Sequence, residues 1–306
     1  MNKVIFIVGP TASGKTELSV MLAEKIDGEI ISADSMQAYK GMEIISQAPA
    51  KSEQKKARHH LIGFLKAREE YSAALFSKKA GKIIQGILKN GKIPIVTGGS
   101  GLYVRALLDG IFPSKGKSEA LRKKLRTEAA KKGALFLHRK LEKLDPFSAR
   151  KIHPNDLKRV IRALEIRELE KKTKFDLEKE TKGIKDKYDI VIFGLVMDRE
   201  KLYRKIHERV DSMFRRGLVR EAKKLMKLNM SITSKKALGI KQVEGYLSGN
   251  YGLEHAVEIL KRDTRRLAKR QITWFRPDKR IIWLDLSRMH KAMTIHFMRE
   301  TIKGAG

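Results

Sequence analysis

The sequence predicts an α/β fold: a P-loop NTPase-like core built on a parallel sheet, with an inserted all-helical domain. Three observations predict it. Short apolar runs alternate with helix-length periodic segments, the pattern of a parallel sheet covered on both faces. A glycine-rich phosphate motif joins the first run to the first helix. From about Pro113 to Gly183 strand patterning lapses and only helical spacing with dense charge remains.

The first strand is "VIFIV", Val4 to Val8, an apolar run that ends at Gly9-Pro10 and feeds a helix from about Thr16 to Ile26. "EIISAD" (Glu29 to Asp34) is a second strand, and "KIPIVTGG" (Lys92 to Gly99) a third. Between them Ser72 to Lys89 has helical spacing, with Ala74, Leu75, Ile83, Ile84, Ile87 and Leu88 as its apolar positions. In "NDLKRVIRALEIRELEKK", Leu157, Val160, Ile161 and Leu164 share one helical face, and Lys158, Arg159 and Arg162 turn away from it. A strand returns at "YDIVIFGLVMD" (Tyr188 to Asp198), and "RIIWLDL" (Arg280 to Leu286) reads as the last. Residues 1–112 and 184–306 are therefore expected to form the core, and 113–183 the insertion. A late helix from about Leu253 to Phe275 places Leu253, Val257, Leu260, Leu267, Trp274 and Phe275 within an arc of about 100°. Lys261, Arg262, Arg265, Arg266, Lys269 and Arg270 lie on the other side, with Asp263 the one acid among them.

Charge narrows the partners. Lys plus Arg total 67 against 35 Asp plus Glu, a formal +32. Adaptation to heat raises Lys and Glu together, whereas this one-sided excess makes an attractive field for a polyanion, nucleic acid before membrane surface. There are no cysteines, which excludes thiol catalysis and cysteine-ligated zinc and fits a reducing compartment. No apolar run reaches the ~18 residues of a membrane span, so a cytoplasmic protein is expected.

"GPTASGKT" satisfies G-x-x-x-x-G-K-[ST] at Gly9, Gly14, Lys15 and Thr16. Backbone N–H groups of Gly9, Pro10, Thr11, Ala12, Ser13, Gly14, Lys15 and Thr16 (Pro10 excepted as a donor), with the helix N-terminus, suit phosphate oxygens; Lys15 adds a charge and Thr16 a ligand for Mg²⁺. Phosphoryl-transfer enzymes of this fold normally carry a metal-binding aspartate at the end of another core strand. Here "IPIVTGG" ends in Thr97-Gly98-Gly99-Ser100 without an acid, and the well-placed carboxylate is Asp34, ending "EIISAD". Asp34 suits either water-mediated Mg²⁺ binding or the role of a base. His59-His60 is expected to pack or cap, because adjacent side chains diverge.

Taken together, "GPTASGKTELS", "ISADSMQAYKGMEI", "HHLI", "YSAALF", "IPIVTGGSGLYVRALLDG", "HPNDLKRVIRALE", "ALGIKQ" and "RRLAKRQITWFR" resemble the tRNA dimethylallyltransferase family, in that family's order and over nearly the whole chain. The resemblance implies transfer of a dimethylallyl group from its diphosphate to N6 of the adenine 3′ of the anticodon, with Mg²⁺ present and pyrophosphate released. The loop would then hold a leaving group, Asp34 would accept the N6 proton, and the Ser100 hydroxyl would contact the reacting groups. It also implies tRNA contacts at Asp34, Ser35, Met36, Gln37, Ser100, Gly101, Lys123, Lys158, Arg159, Val160, Ile161, Arg162, Lys236 and Lys241. The insertion would grip the anticodon stem, and a monomer is expected. Departures from the family pattern fall at Ile45 to Pro49, where relatives tend to read Gly-Thr-Ala-Lys-Pro, at Gly63 for a usual aspartate, at Lys236 for arginine, and in "RELEKKTKF", which lacks a Thr-Gly-Lys turn. Rival readings are the same chemistry on free adenine nucleotides, a small-molecule kinase, and an RNA-binding protein without catalysis.

Overall fold

Continuous burial explains the central strand. A computed structural model of the chain describes residues 2–112, 116, 118–173, 176–177 and 181–304. In it every side chain from Val4 to Val8 is fully buried, as expected of a strand covered on both faces. The departure in "RELEKKTKF" and the boundary at Pro113 fall partly outside the described residues.

The chain divides into two compact units, Met1–Leu108 with Ile184–Gly306, and Asp109–Gly183. The first contains β1 (Lys3–Val8), α1 (Lys15–Ile26), β2 (Gly28–Ser32), α2 (Lys51–Lys56), β3 (His59–His60), α3 (Ala73–Lys89), β4 (Ile93–Gly98) and α4 (Gly101–Leu108). The second contains α5 (Glu119–Lys132), α6 (Ala134–Leu144), α7 (Pro146–Lys151) and α8 (Leu157–Glu170). The first unit resumes with β5 (Asp189–Val196), α9 (Arg199–Arg215), α10 (Leu218–Met226), α11 (Ile240–Leu247), α12 (Leu253–Phe275), β6 (Ile281–Asp285) and α13 (Lys291–Gly304).

The sheet has the order β3-β2-β4-β1-β5-β6, with every neighbouring pair parallel. Its edge strand β3 is too short to leave a periodic signal in the sequence. His60 fixes that edge: its Nε2 lies 2.6 Å from Oε2 of the buried Glu29. On one face Leu18 and Leu22 of α1 pack with Ile295, Met298 and Ile302 of α13. No described helix is long and apolar enough to cross a membrane.

In α12 the buried positions are Ala256, Leu260, Thr264, Ala268 and Phe275, whereas Leu253 and Trp274 are each 42% exposed. The expected apolar stripe is thus displaced. The reason is tertiary: Ala268 joins Leu202 and Ile206 of α9 in one cluster, and small side chains let two helices approach closely. Acids remote in sequence also alter the basic face, since Lys261 pairs with Asp211 at 2.9 Å as well as with Glu258 at 3.1 Å.

In the helical unit Val160 and Ile161 are buried with Leu125, Leu137, Leu141 and Leu164. Their side chains hold that core together, so an RNA contact expected at these two positions would fall to backbone groups or to the exposed neighbours Lys158 and Arg159. Nearby, Glu165 is fully buried and accepts from Arg122 Nε and Nη2 at 2.8 Å each, from Arg162 Nη1 at 2.5 Å, and from the Ser118 N–H at 2.9 Å. Burial pushes the Glu165 carboxyl up, but the arginine hydrogen bonds outweigh it and hold the group below its ordinary 4.5. A carboxyl depressed in the folded state stabilises above that ordinary value, and the contribution is lost as pH falls below it. Arg122→Met should cost about 3 kcal/mol at neutral pH, because it leaves a buried charge short of a partner. Urea denaturation at pH 7 and pH 3 checks this, and the difference between variant and parent should shrink at the lower pH.

Candidate active site

Register brings three strand ends to one place. Ile7 pairs with Thr97, Val8 with Gly98, and Ser32 with Thr97, so Gly9, Asp34 and Gly99 emerge close together at the carboxyl edge of the sheet. Ligand sites of open α/β sheets form at such an edge. Gly9 has φ +146°, and a Cβ there would meet the Leu195 carbonyl oxygen at 2.7 Å, so only glycine lets the loop leave β1 this close to β5.

The loop ends at Gly14, which begins α1 without a side-chain cap. Helix N–H groups left uncapped are donors for an anion. Ser13 Oγ is buried and, among the described residues, has no hydrogen-bond partner. Such a group is costly unless something satisfies it. A cleft of about 250 Å³ opens beside the loop, lined by Thr11, Ala12, Gly14, Lys15 and Thr16. Asp34 and Gln37 line it from the end of β2, and Ser46, Gln47 and Glu53 from the segment that follows.

Lys15 Nζ donates to the Pro10 carbonyl at 2.6 Å. Burial, then the nearby Arg209 charge, push the Lys15 ammonium down to about 7, with Asp34 opposing. Asp34 shifts the other way. Burial raises its carboxyl above the ordinary 3.8, against the Met36 N–H, which donates to Oδ1 at 2.8 Å, and against Lys15 and Arg209. The two shifts run in opposite directions, each toward the neutral form of its group. An anion entering the cleft would restore the Lys15 proton.

The remaining expected residues divide by position. Ser100 Oγ accepts from the Ser35 N–H at 3.4 Å and so supports the turn that carries Asp34. Gln37 accepts from Ser32 Oγ at 2.7 Å and donates to the Gln47 carbonyl at 3.2 Å, tying this turn to the segment that departs from the family pattern. That segment is held from outside, since Glu221 of α10 accepts from the Ile44 and Ile45 N–H groups at 2.9 and 2.7 Å. Gly63 donates to the Gln37 carbonyl at 2.8 Å, so its departure touches the same turn. Lys236 and Lys241 are exposed in the first unit, Lys123, Lys158 and Arg159 in the helical unit. Arg159 is paired with Asp156 and Arg162 with Glu165, so these two arginines are already engaged within their own helix.

Two residues of the site escaped the sequence reading. Arg209 donates from Nη1 to Thr11 Oγ1 at 2.9 Å, and Gln271 accepts from the Thr11 N–H at 2.8 Å while donating to the Gly99 carbonyl at 3.1 Å. Both line the cleft. A signal existed. Arg209 lies three residues after the buried Ile206 and four before the buried Met213, and Gln271 stands likewise between Ala268 and Phe275. A polar group on a helix's apolar stripe is there for a reason.

Glu17 and Glu53 also border the cleft, but Glu17 pairs with Lys291 at 2.5 Å and Glu53 accepts from the Ala50 N–H at 2.7 Å. Asp34 is left as the acid that a core strand delivers to the loop. A parallel sheet whose glycine loop and uncapped helix face a polar cleft defines a P-loop-like α/β core. The chain belongs to the IPP transferase family, whose sequence profile matches residues 37–278. It is 47% identical to the tRNA dimethylallyltransferase of Carboxydothermus hydrogenoformans over 93% of this chain and 92% of that protein. The full-length tRNA isopentenylpyrophosphate transferase of Bacillus halodurans superposes with a TM-score of 0.74 at 40% identity, covering 100% of this chain and 97% of that one. A eukaryotic dimethylallyltransferase acting on tRNA superposes with a TM-score of 0.83 at 30% identity, over 99% and 80% of the two chains.

Proposed function

We propose that this protein transfers a dimethylallyl group from dimethylallyl diphosphate to N6 of the adenine 3′ of the anticodon in tRNA. The observation that carries the mechanism is a phosphate loop facing one strand-end carboxylate, Asp34, across a cleft that also receives Lys15 and Arg209. Breaking an allylic carbon–oxygen bond leaves positive character on carbon and negative charge on the departing diphosphate. Loop N–H groups, Lys15 and Arg209 are aimed at that charge and gain strength as it grows. The N6 amine is a weak nucleophile because its lone pair is delocalised into the ring. Asp34, with its carboxyl raised by burial, takes the N6 proton as the carbon–nitrogen bond forms.

Mg²⁺ fits the residues present. Thr16 and Asp34 both line the cleft and offer hard oxygen ligands, and such an ion takes most of its other ligands from phosphates and water. What the ion supplies when bound is neutralisation of charge on the diphosphate. Thr16 would hold it.

Incubating the protein with unmodified tRNA, Mg²⁺ and radiolabelled dimethylallyl diphosphate, with ATP in a parallel tube, tests the reading. Label is expected in tRNA; phosphate released from ATP with no label transferred would instead indicate a kinase or ATPase. The +32 charge argues for RNA over a free nucleotide as acceptor. Affinity for tRNA should accordingly fall at least about tenfold between 50 and 200 mM salt, through release of counterions from the phosphates. A flat response in a filter-binding titration would contradict the phosphate-contact argument.

A further inference from the structure

One large aromatic side chain stands at the mouth of the site with no task in the mechanism above. Trp274, in the last turn of α12, is 42% exposed. Its indole lies against Gly101, so closely that a Cβ at that position would overlap the ring. The contact is set by register between α12 and the loop after β4. Gln271 reaches Gly99, and Trp274, three residues later on the same helix, reaches Gly101. Between the two lies Ser100, which supports the Asp34 turn. Gln271 lines the cleft and Trp274 does not. The ring therefore lies outside the cleft, one turn along α12 from Gln271, rather than inside where a donor's tail would be enclosed. Among the described residues its Nε1–H has no protein partner, and the neighbouring cations Arg270 and Arg276 are exposed.

We infer that Trp274 is a stacking platform for an unpaired nucleobase of the RNA substrate, one that flanks the adenine entering the cleft. The inference rests on the RNA reading above. A base taken out of its stack leaves its neighbours without a partner, and an indole offers any base a sequence-tolerant π-face. Arg270, one turn before Trp274 on α12, and Arg276, just beyond that helix, are exposed cations suited to adjoining phosphates. Gly101 completes the platform, because its missing side chain lets the indole lie flush on the loop that supports Asp34. Trp274 is thus a positioning residue: it orients the RNA and touches no reacting atom.

The chain has two tryptophans, Trp274 and Trp283, so Trp283→Phe leaves Trp274 as its one indole fluorophore. In this full-length variant, titration with an anticodon stem-loop RNA should quench tryptophan emission in step with RNA binding, as stacking of a base on the indole requires. Inorganic pyrophosphate at saturating concentration should leave it unchanged. In parallel, Trp274→Ala should raise the KM for RNA about five- to a hundredfold, leave the KM for the prenyl donor within twofold, and be largely rescued by Trp274→Phe. RNA that binds by anisotropy and is prenylated without quenching Trp274 overturns the inference and spares the transferase reading. Quenching by pyrophosphate or by the prenyl donor overturns it in favour of a donor subsite. Absence of both RNA binding and prenyl transfer overturns the transferase reading itself.

Discussion

Asp34→Asn should reduce prenyl transfer by about a hundred- to ten-thousandfold, the range a positioned general base contributes, while RNA affinity stays within a few-fold. Asparagine is the informative replacement. Its side-chain oxygen can keep the acceptor role toward the Met36 N–H, which Asp34 Oδ1 fills at 2.8 Å, so the turn survives and proton acceptance alone is removed. Asp34→Ala should lose activity to at least the same degree, with the added disturbance of a freed N–H. Single-turnover assays with saturating donor separate the chemical step from binding. Near wild-type turnover in the asparagine variant would falsify the base assignment. The alternative role, water-mediated metal binding, makes a different forecast, since raising Mg²⁺ should then restore much of the lost rate. No such rescue is expected.

Lys15→Met should cost about a hundred- to a thousandfold in kcat, the scale for losing one preorganised donor to a developing anion, and should also weaken diphosphate binding. Methionine approximates the lysine stem and removes the charge. The parent protein supplies a pH signature that the variant should lack. With Lys15 held down to about 7 in the free site, a bound diphosphate must raise it again. Binding is then strongest below pH 7 as far as this group is concerned, and weakens as pH rises above it, because the ligand must bring a proton with it. Calorimetry with inorganic pyrophosphate at pH 8, in buffers of different ionisation enthalpy, should show proton uptake in the parent and little in Lys15→Met. Equal proton uptake in both would assign the titration to another group.

Arg209 explains why Lys15 is so sensitive. The two cations approach the same loop, and after burial the arginine is the larger reason for the low lysine value. Such repulsion is tolerable in a site that awaits a multiply charged anion. Glu53 and Asp34 partly offset it at Arg209. The departure at Ile45 to Pro49 belongs to the same cleft, for Ser46 and Gln47 line it. Where relatives tend to place a lysine, this chain has Ala48. The loss of that charge does not dissolve the segment, because Glu221 and Gln37 hold it through backbone groups that any sequence possesses.

What the amino-acid sequence determined unaided was everything written in local geometry. The run from Val4 to Val8 reads as a strand buried on both faces, and Gly9 and Gly14 mark a backbone path through positive φ that side chains disfavour. Asp34 was legible because it ends a strand, and strand ends gather at one edge of a parallel sheet. Tertiary structure alone decided which distant groups complete the cleft. Arg209 and Gln271 reach Thr11 across 198 and 260 residues of chain, and among 67 cations no composition argument singles out one. The same held where helices pack: Lys261 found Asp211, and Trp274 came to rest on Gly101. Periodicity gives the faces of a helix, but what covers each face, or leaves it open to a ligand, depends on chain that folds in from elsewhere.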